Sequence, residues 1–482
     1  MKKHIVLFAA ILACVGVANA QYNETNNLYY NAFRMPQSNQ LNPAFMPNKT
    51  SVYVTLPDAG IRFGSPLAIN DFVHNQGDTM TVISINDMLG ALNNDNRFRI
   101  GIEANILGFG FKVHHTFFNF NTRIVSNVNV GLPIGTINAL LHGNVDENGN
   151  AIKEVTFMDG SLFNAQGYAE ISIGGGHYFE PIGLTVGAHA KLLYGLFNAQ
   201  TDNTRAVLVT EDNYDKLKVD MYYQLQLASA APLDTAGIHM PQINDLFNLG
   251  KANTGVAFDL GAKYDLGPFS FSLAINDLSA GIHWKHNVMS YTPEGGHVTA
   301  EFAGYNAGTL VNAGQVNNDS ITAYWQEVVD NLTPAADSVG DYWYSIPTKI
   351  NLGASYNFAK MLRAGILFHG QFDRGLLSKS NKYELDLGDG VVNTFRFNTT
   401  LTVGVNLFNW AELTLGSSIV YDGNKIQPFN PGMNLVITPA TAVQLYLTAD
   451  YISSIYLVEA KAFNVRFGMN VLIGGGSKIS QN

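Results

Sequence analysis

The chain has one cysteine, few charges and no long apolar run, and each shortage excludes a class of protein. Cys14 lies within the first twenty residues, in a segment that reads as an export signal, so the exported chain holds no thiol. Disulfides, thiolate metal sites and cysteine nucleophiles are excluded together. Charged residues are 14% of the 482, where soluble domains carry about 25%. Beyond the signal nothing approaches the ~18 consecutive apolar residues of a membrane-crossing helix. Net charge is −10, and −12 once Lys2 and Lys3 are gone. That sign excludes a nucleic-acid partner, because phosphate binding needs basic surface.

What the chain does have is 46 Gly, 29 Phe and 22 Tyr, a composition suited to long strands with one face in lipid. Lys2 and Lys3, the apolar run from Ile5 to Val17 and the small-x-small step Ala18-Asn19-Ala20 predict a Sec-type signal peptide over 1–20, cleaved near Ala20. The apolar run, about 13 residues, is shorter than the roughly 20 of a spanning helix. Ile11-Leu12-Ala13-Cys14 has the form of a lipid-attachment box, but apolar residues continue past it.

The main signal is apolar/polar alternation over segments of ten or more residues. In the last of them Phe463, Val465, Phe467, Met469, Val471 and Ile473 share one face, and Asn464, Arg466, Gly468 and Asn470 the other. Phe395, Phe397, Leu401, Val403 and Val405 alternate in the same way with Arg396, Asn398, Thr400 and Thr402. Sandwich strands usually have about five or six residues, so the length favours a wall between lipid and lumen. Short connections at His114-His115, Glu180-Pro181, Leu266-Gly267-Pro268, 357–360, Asn409-Trp410 and Pro439-Ala440 alternate with long ones. The expected fold is therefore all-β: a transmembrane up-and-down antiparallel barrel over 51–473, with its short turns on the periplasmic side of an outer membrane. Sixteen segments alternate. The pair between 203 and 228 also reads as a hairpin projecting beyond the wall, which leaves about 14 strands. Residues 21–50 read either as an N-terminal plug or as a periplasmic lead, 474–482 as a tail, and 323–329 as a helix in the longest loop.

The chain resembles an uncharacterised family of outer-membrane barrels of Bacteroidetes-type bacteria, similar to fatty-acid-transporter and PorV-type barrels. The likeness rests on Leu41-Asn42-Pro43-Ala44, Gly108-Phe109-Gly110-Phe111, the run Val186 to Gly195, Asp259 to Tyr264, Ile275-Asn276-Asp277-Leu278 and Ile346 to Gly353. It implies a fourteen-stranded wall, a plug whose turn is Asn42, Pro43 and Ala44, and lateral movement of an apolar ligand. It also implies contact with the barrel assembly machinery. The usual terminal aromatic is missing, which leaves Phe467 and Ile473 to make that contact.

Glu170, His189, Lys191, Asp259, Lys263, Lys349 and Arg363 fall on the lumen face. They form a candidate charge cluster that either binds a polar headgroup or braces a narrow lumen with paired charges. Arg363 with Asp259 is the expected pair. Asp146 to Asn150 has calcium-loop spacing, but Ala151 occupies the glycine position and Phe157 that of the closing Glu. Ser161 is not in a nucleophile-elbow frame, and His114-His115 lacks a third ligand. No catalytic residue, metal or cofactor is expected. One functional expectation is a barrel for a hydrophobic or amphipathic small molecule, with a closed lumen, an apolar pocket and a wall opening. Its partners are outer-membrane lipid and a lipid-like ligand. The alternatives are an anchor or assembly partner of a secretion or surface complex, and a general porin.

Overall fold

The computed structural model describes residues 27–28, 30, 35–45, 51–71, 73–76, 80–92, 96–131, 133, 152–160, 162–210, 216–230, 233–234, 237–238, 252–291, 298–303, 311–312, 315–316, 336–337, 340–359, 361–372, 375–377, 395–408, 410–422, 425–440, 442–452 and 461–474. The expected signal, the calcium-like segment 146–151, Ser161, the helix at 323–329 and most of the tail lie outside them.

Fourteen antiparallel strands close on themselves. They are β1 (Val52–Thr55 continued by Ala59–Gly64), β2 (Arg97–Val113), β3 (Thr116–Gly131), β4 (Phe163–Phe179), β5 (Leu184–Thr210), β6 (Asn253–Leu266) and β7 (Phe269–Trp284). The circuit continues through β8 (Tyr342–Ser345 and Lys349–Ala359), β9 (Leu362–Phe372), β10 (Phe395–Phe408), β11 (Ala411–Asp422), β12 (Lys425–Ala440), β13 (Val443–Asp450) and β14 (Ala462–Ile473). The seam is made by β14 on β1, with Ala59 opposite Phe467 and Val52 opposite Ile473. Closure pairs both edges, as a wall in lipid requires.

The sixteen-strand count fails at β5. Its 27 residues lie against β6 only as far as Gly195. Beyond Gly195 it pairs with Lys216–Ser229, which also meets Val288–Tyr291 and Val298–Ala303, and past Gln200 it runs beyond the end of β4. The two extra segments are the projecting hairpin.

Alternation sets the faces. Along β10, Arg396, Asn398, Thr400 and Thr402 are buried while Leu401 and Val403 are exposed to lipid. Aromatic pairs ring the turn end: Phe111 with Phe118 at 5.3 Å, Phe269 with Tyr356 at 4.6 Å, and Phe408 stacked on Trp410 at 5.1 Å. Such a girdle marks a membrane–water interface. At the loop end, Trp284, Ile282, Tyr344, Tyr168, Leu193 and Ile346 pack inside the barrel as an apolar cluster.

Residues 35–45 and the described residues before them lie inside the lumen, wound into a short 3-10 turn over Pro36–Gln40. They are almost wholly buried against the wall. Leu28 fills the space beside Gly416 of β11 and Gly432 of β12.

If Leu401 faces lipid at mid-strand, Leu401→Arg should lower the stability of the folded barrel by about 2–4 kcal/mol. Urea titration in lipid vesicles measures this. A cost near zero would place residue 401 away from the hydrocarbon.

Candidate functional site: a sealed lumen

The lumen-facing positions of nine neighbouring strands carry one continuous chain of ion pairs. It starts at the seam, where Arg466 of β14 sets Nη2 2.9 Å from Oδ1 of Asp58, in the break of β1. Nη1 of the same guanidinium lies 3.1 Å from Oε1 of Glu103 on β2. Glu103 also receives Arg62 Nη1 at 3.0 Å and Arg123 Nη1 at 3.1 Å. Arg123 on β3 continues to Glu170 of β4 at 2.7 Å. Lys191 of β5 stands 3.9 Å from Glu170, 2.8 Å from Asp259 of β6 and 2.7 Å from Asp277 of β7. Lys349 of β8 closes on Asp277 at 3.0 Å. Five carboxylates thus face five cations, which satisfies the requirement that buried charge be paired.

Of the seven predicted residues, Glu170, His189, Lys191, Asp259 and Lys349 meet in this chain. His189 joins through Nδ1, 3.1 Å from Asp259. Lys263 does not: it pairs with Asp265, two residues on, at 2.8 Å near the turn end. The expected Arg363–Asp259 pair is absent. Arg363 is the second residue of β9, near the turn end, and donates to Glu412 of β11 at 2.8 Å. Asp259 lies deeper in the wall and three strands away.

Asp58, Arg62, Glu103, Arg123 and Arg466 belong to the chain but not to the predicted cluster, although all but Asp58 occupy inward positions of alternating segments. Asp277 was hidden for a different reason. It adopts a left-handed backbone with φ 59°, as does Ser279, in a strand whose register shifts nearby. Simple alternation fails there.

The Asn42-Pro43-Ala44 turn sits against β6 and β7. Asn42 Oδ1 accepts from the Ala44 N–H at 2.9 Å, the side-chain-to-backbone bond for which Asn is favoured in turns. Its Nδ2 donates to the Tyr30 hydroxyl at 3.1 Å and reaches the Ala262 and Leu273 carbonyls at 3.4 and 3.3 Å. Burial pushes the Tyr30 hydroxyl up to about 12, against smaller lowering by its bonds to Ser272 and Asn42, so it remains a neutral donor. A Cβ on Gly187 would collide with the Pro43 carbonyl, so wall and turn approach as closely as backbone allows.

Two interior cavities of about 20 Å³ each lie beside Arg62, one towards Lys349 and one towards Asn464. That is room for about one water each. A much larger apolar groove, about 880 Å³, opens on the lipid side of β3 to β7. Its flanks include Phe118, Ile173, Leu260 and Leu273, and Gly174, Gly175, Gly176, Gly187 and Gly261 form much of its floor. The expected wall opening is not seen there, because pairing runs unbroken under the groove, with Gly175 opposite Ala188 and Gly187 opposite Gly261. The apolar pocket therefore lies outside the lumen. Among the described residues no group of three or more His, Cys, Asp or Glu side chains is arranged to hold a metal.

These features define a closed membrane β-barrel whose lumen is filled by its own chain and by paired charge. The chain belongs to a family of unknown function, DUF5723, whose model matches residues 43–450. No curated protein matches it. Among solved structures it is similar to the P. putida toluene transporter TodX, with 11% identity over 94% of each chain and a TM-score of 0.40. It is also similar to a Pseudomonas aeruginosa FadL homologue, with 10% identity over 95% of this chain and 100% of that one and a TM-score of 0.42. The Ralstonia pickettii toluene transporter TbuX follows, with 11% identity over 91% and 92% and a TM-score of 0.38.

Removing one member of the ion chain strands the others. Arg466→Met should cost about 3–5 kcal/mol, whereas Lys263→Met, at a partly buried pair near the turn end, should cost about 1 kcal/mol or less. Equal costs in denaturant titrations would mean that the chain carries no special share of stability.

Proposed function

We propose that the protein is an outer-membrane barrel that takes up an apolar or amphipathic small molecule through its wall rather than along its axis. The observation that carries this reading is the place of the apolar groove: it faces lipid, and the backbone of Pro43 and Ala44 lies directly behind its glycine floor. Withdrawal of the luminal segment would leave that floor backed by empty lumen. The axial route is filled at the level of the ion chain among the described residues, which also weighs against a general porin. A sealed axis favours one further reading, a membrane anchor or assembly partner of a secretion or surface complex. Recovery of one constant partner chain in mild-detergent pull-downs would support it.

Purification in mild detergent followed by lipid mass spectrometry should return a stoichiometric apolar or amphipathic compound. Ala188 is exposed in the groove, and Ala188→Trp fills it from the lipid side. This change should weaken rebinding of the compound about tenfold, roughly 1.4 kcal/mol. The reading is overturned if only bulk lipid co-purifies and uptake into vesicles is unchanged by Ala188→Trp.

A further inference from the structure

The lipid-side groove has a polar end, and its place on the wall decides what kind of molecule fills it. The groove is a furrow left by missing side chains. On β4 the outward row runs Ile173, Gly175, His177, and both outer members are exposed. Only a hydrogen stands between them. Gly175 is opposite Ala188 of β5, and Val186 of β5 is opposite Ala262 of β6, so short side chains carry the furrow across three strands. A Cβ at Gly175 would meet the Phe117 carbonyl, so the close approach of β3 keeps the notch open.

The groove reaches from Thr116, the first residue of β3, to Ile275, six residues past the start of β7. At about 3.3 Å per residue and a tilt near 40°, this is roughly 15 Å of depth, or about half of a ~30 Å hydrocarbon core. It starts at the turn end, and short turns mark the periplasmic side. The groove therefore lies in the periplasmic leaflet, where hydrocarbon chains are what surrounds it. Its volume of about 880 Å³ falls among ligand pockets, which hold roughly 300–1,000 Å³.

At the turn end the lining changes from apolar to polar. Thr116 is opposite His177, and its Oγ1 lies 2.8 Å from the ring Nδ1. A hydroxyl and a neutral imidazole bring two protons to this contact, and the bond uses one. If Thr116 donates, the Nε2–H is spare; if Nδ1–H donates, the hydroxyl proton is spare. Among the described residues no acceptor takes that proton. The nearby carboxylate of Glu180 faces His115, at 3.6 Å. His177 also packs edge-on against Phe179 at 4.7 Å, within the aromatic girdle, so the spare donor stands at headgroup level.

We infer that the groove seats a glycerophospholipid of the periplasmic leaflet, with an acyl chain along Gly175 and Ala188 and a phosphate oxygen on the Thr116–His177 pair. This rests on the reading of the groove as a binding site and needs no passage through the wall. A hydrocarbon would fill the furrow but offer the donor nothing, whereas a phosphate oxygen is a charged acceptor, the stronger kind.

The purified barrel is titrated in mild detergent with palmitoyl-oleoyl phosphatidylethanolamine and, separately, with palmitoyl-oleoyl glycerol, which has the same chains and no phosphate. Native mass spectrometry counts the bound lipid. A single phosphatidylethanolamine should be retained about five- to tenfold more tightly than the diacylglycerol, the effect of one hydrogen bond to a charged acceptor. Either single replacement leaves a donor in place, so the pair is changed together: Thr116→Val with His177→Leu should abolish the preference, and Ala188→Trp should weaken both lipids. Equal affinities in the parent, a preference that survives the double change, or a lipid-free dimer overturns the inference. Retention of a fatty acid or hydrocarbon instead of phospholipid also overturns it and leaves uptake through the wall standing; phospholipid bound without any uptake does the reverse. If the double variant fails to fold, phosphatidylethanolamine with a photoreactive diazirine in its chain decides the matter in the parent. Crosslinks should concentrate on β3 to β7, and even labelling around the wall overturns the site.

Discussion

Glu103 is the carboxylate on which the rest of the lumen depends. Three guanidiniums, from Arg62, Arg123 and Arg466, converge on it, and none of them has water in bulk to fall back on. Arg466 and Asp58 belong to the two strands that meet at the seam, so the same charges that fill the lumen also fix the register in which the barrel closes. Coulomb attraction between buried charges is strong, but so is the cost of stripping their water. The pairs are therefore a constraint on geometry before they are a source of stability.

The luminal segment docks on both ends of this chain by neutral groups. Gln40 donates to Asn105 at 3.1 Å, and Asn105 in turn donates to Asp58 at 2.6 Å. At the far end Asn39 meets His189. Gln37 exchanges both amide bonds with Asn470, and Asn27 donates to Asn398 and to the Tyr451 hydroxyl. An Asn-rich stretch that composition alone leaves open between a plug and a lead is thus a set of donors and acceptors matched to a polar wall.

The wall was legible because one physical rule governs it. A strand between lipid and lumen must alternate, and Phe463 to Ile473 or Phe395 to Val405 do so visibly; even the projecting hairpin was readable as an alternative to two more wall strands. The pairing of lumen charges was less legible, because alternation gives a face but neither height nor neighbour. Lys263 and Arg363 point inward yet lie near the turn end, among partners of their own. Asp58 sits in a strand break and Asp277 at a left-handed residue, two places where counting by twos has no meaning. The groove was invisible for another reason: it is made by glycines from three strands, adjacent only once the register is known.

The lumen therefore contains two kinds of joint. Removing one member of a buried ion pair costs about 3–5 kcal/mol because it strands a charge. Breaking a neutral amide bond costs about 1 kcal/mol net, provided water replaces it. Wall strands are held to each other by the first kind and by the backbone ladder of the sheet, while the side-chain amides of Gln37, Gln40 and Asn42 hold the luminal segment to the wall by the second. If anything in this barrel moves under mild conditions, the hierarchy of energies selects the segment of 27–45. The two kinds of joint meet at His189, whose ring lies 3.1 Å from Asp259 of the ion chain and 2.9 Å from Asn39 of the segment, so the weaker joint is set directly on the stronger.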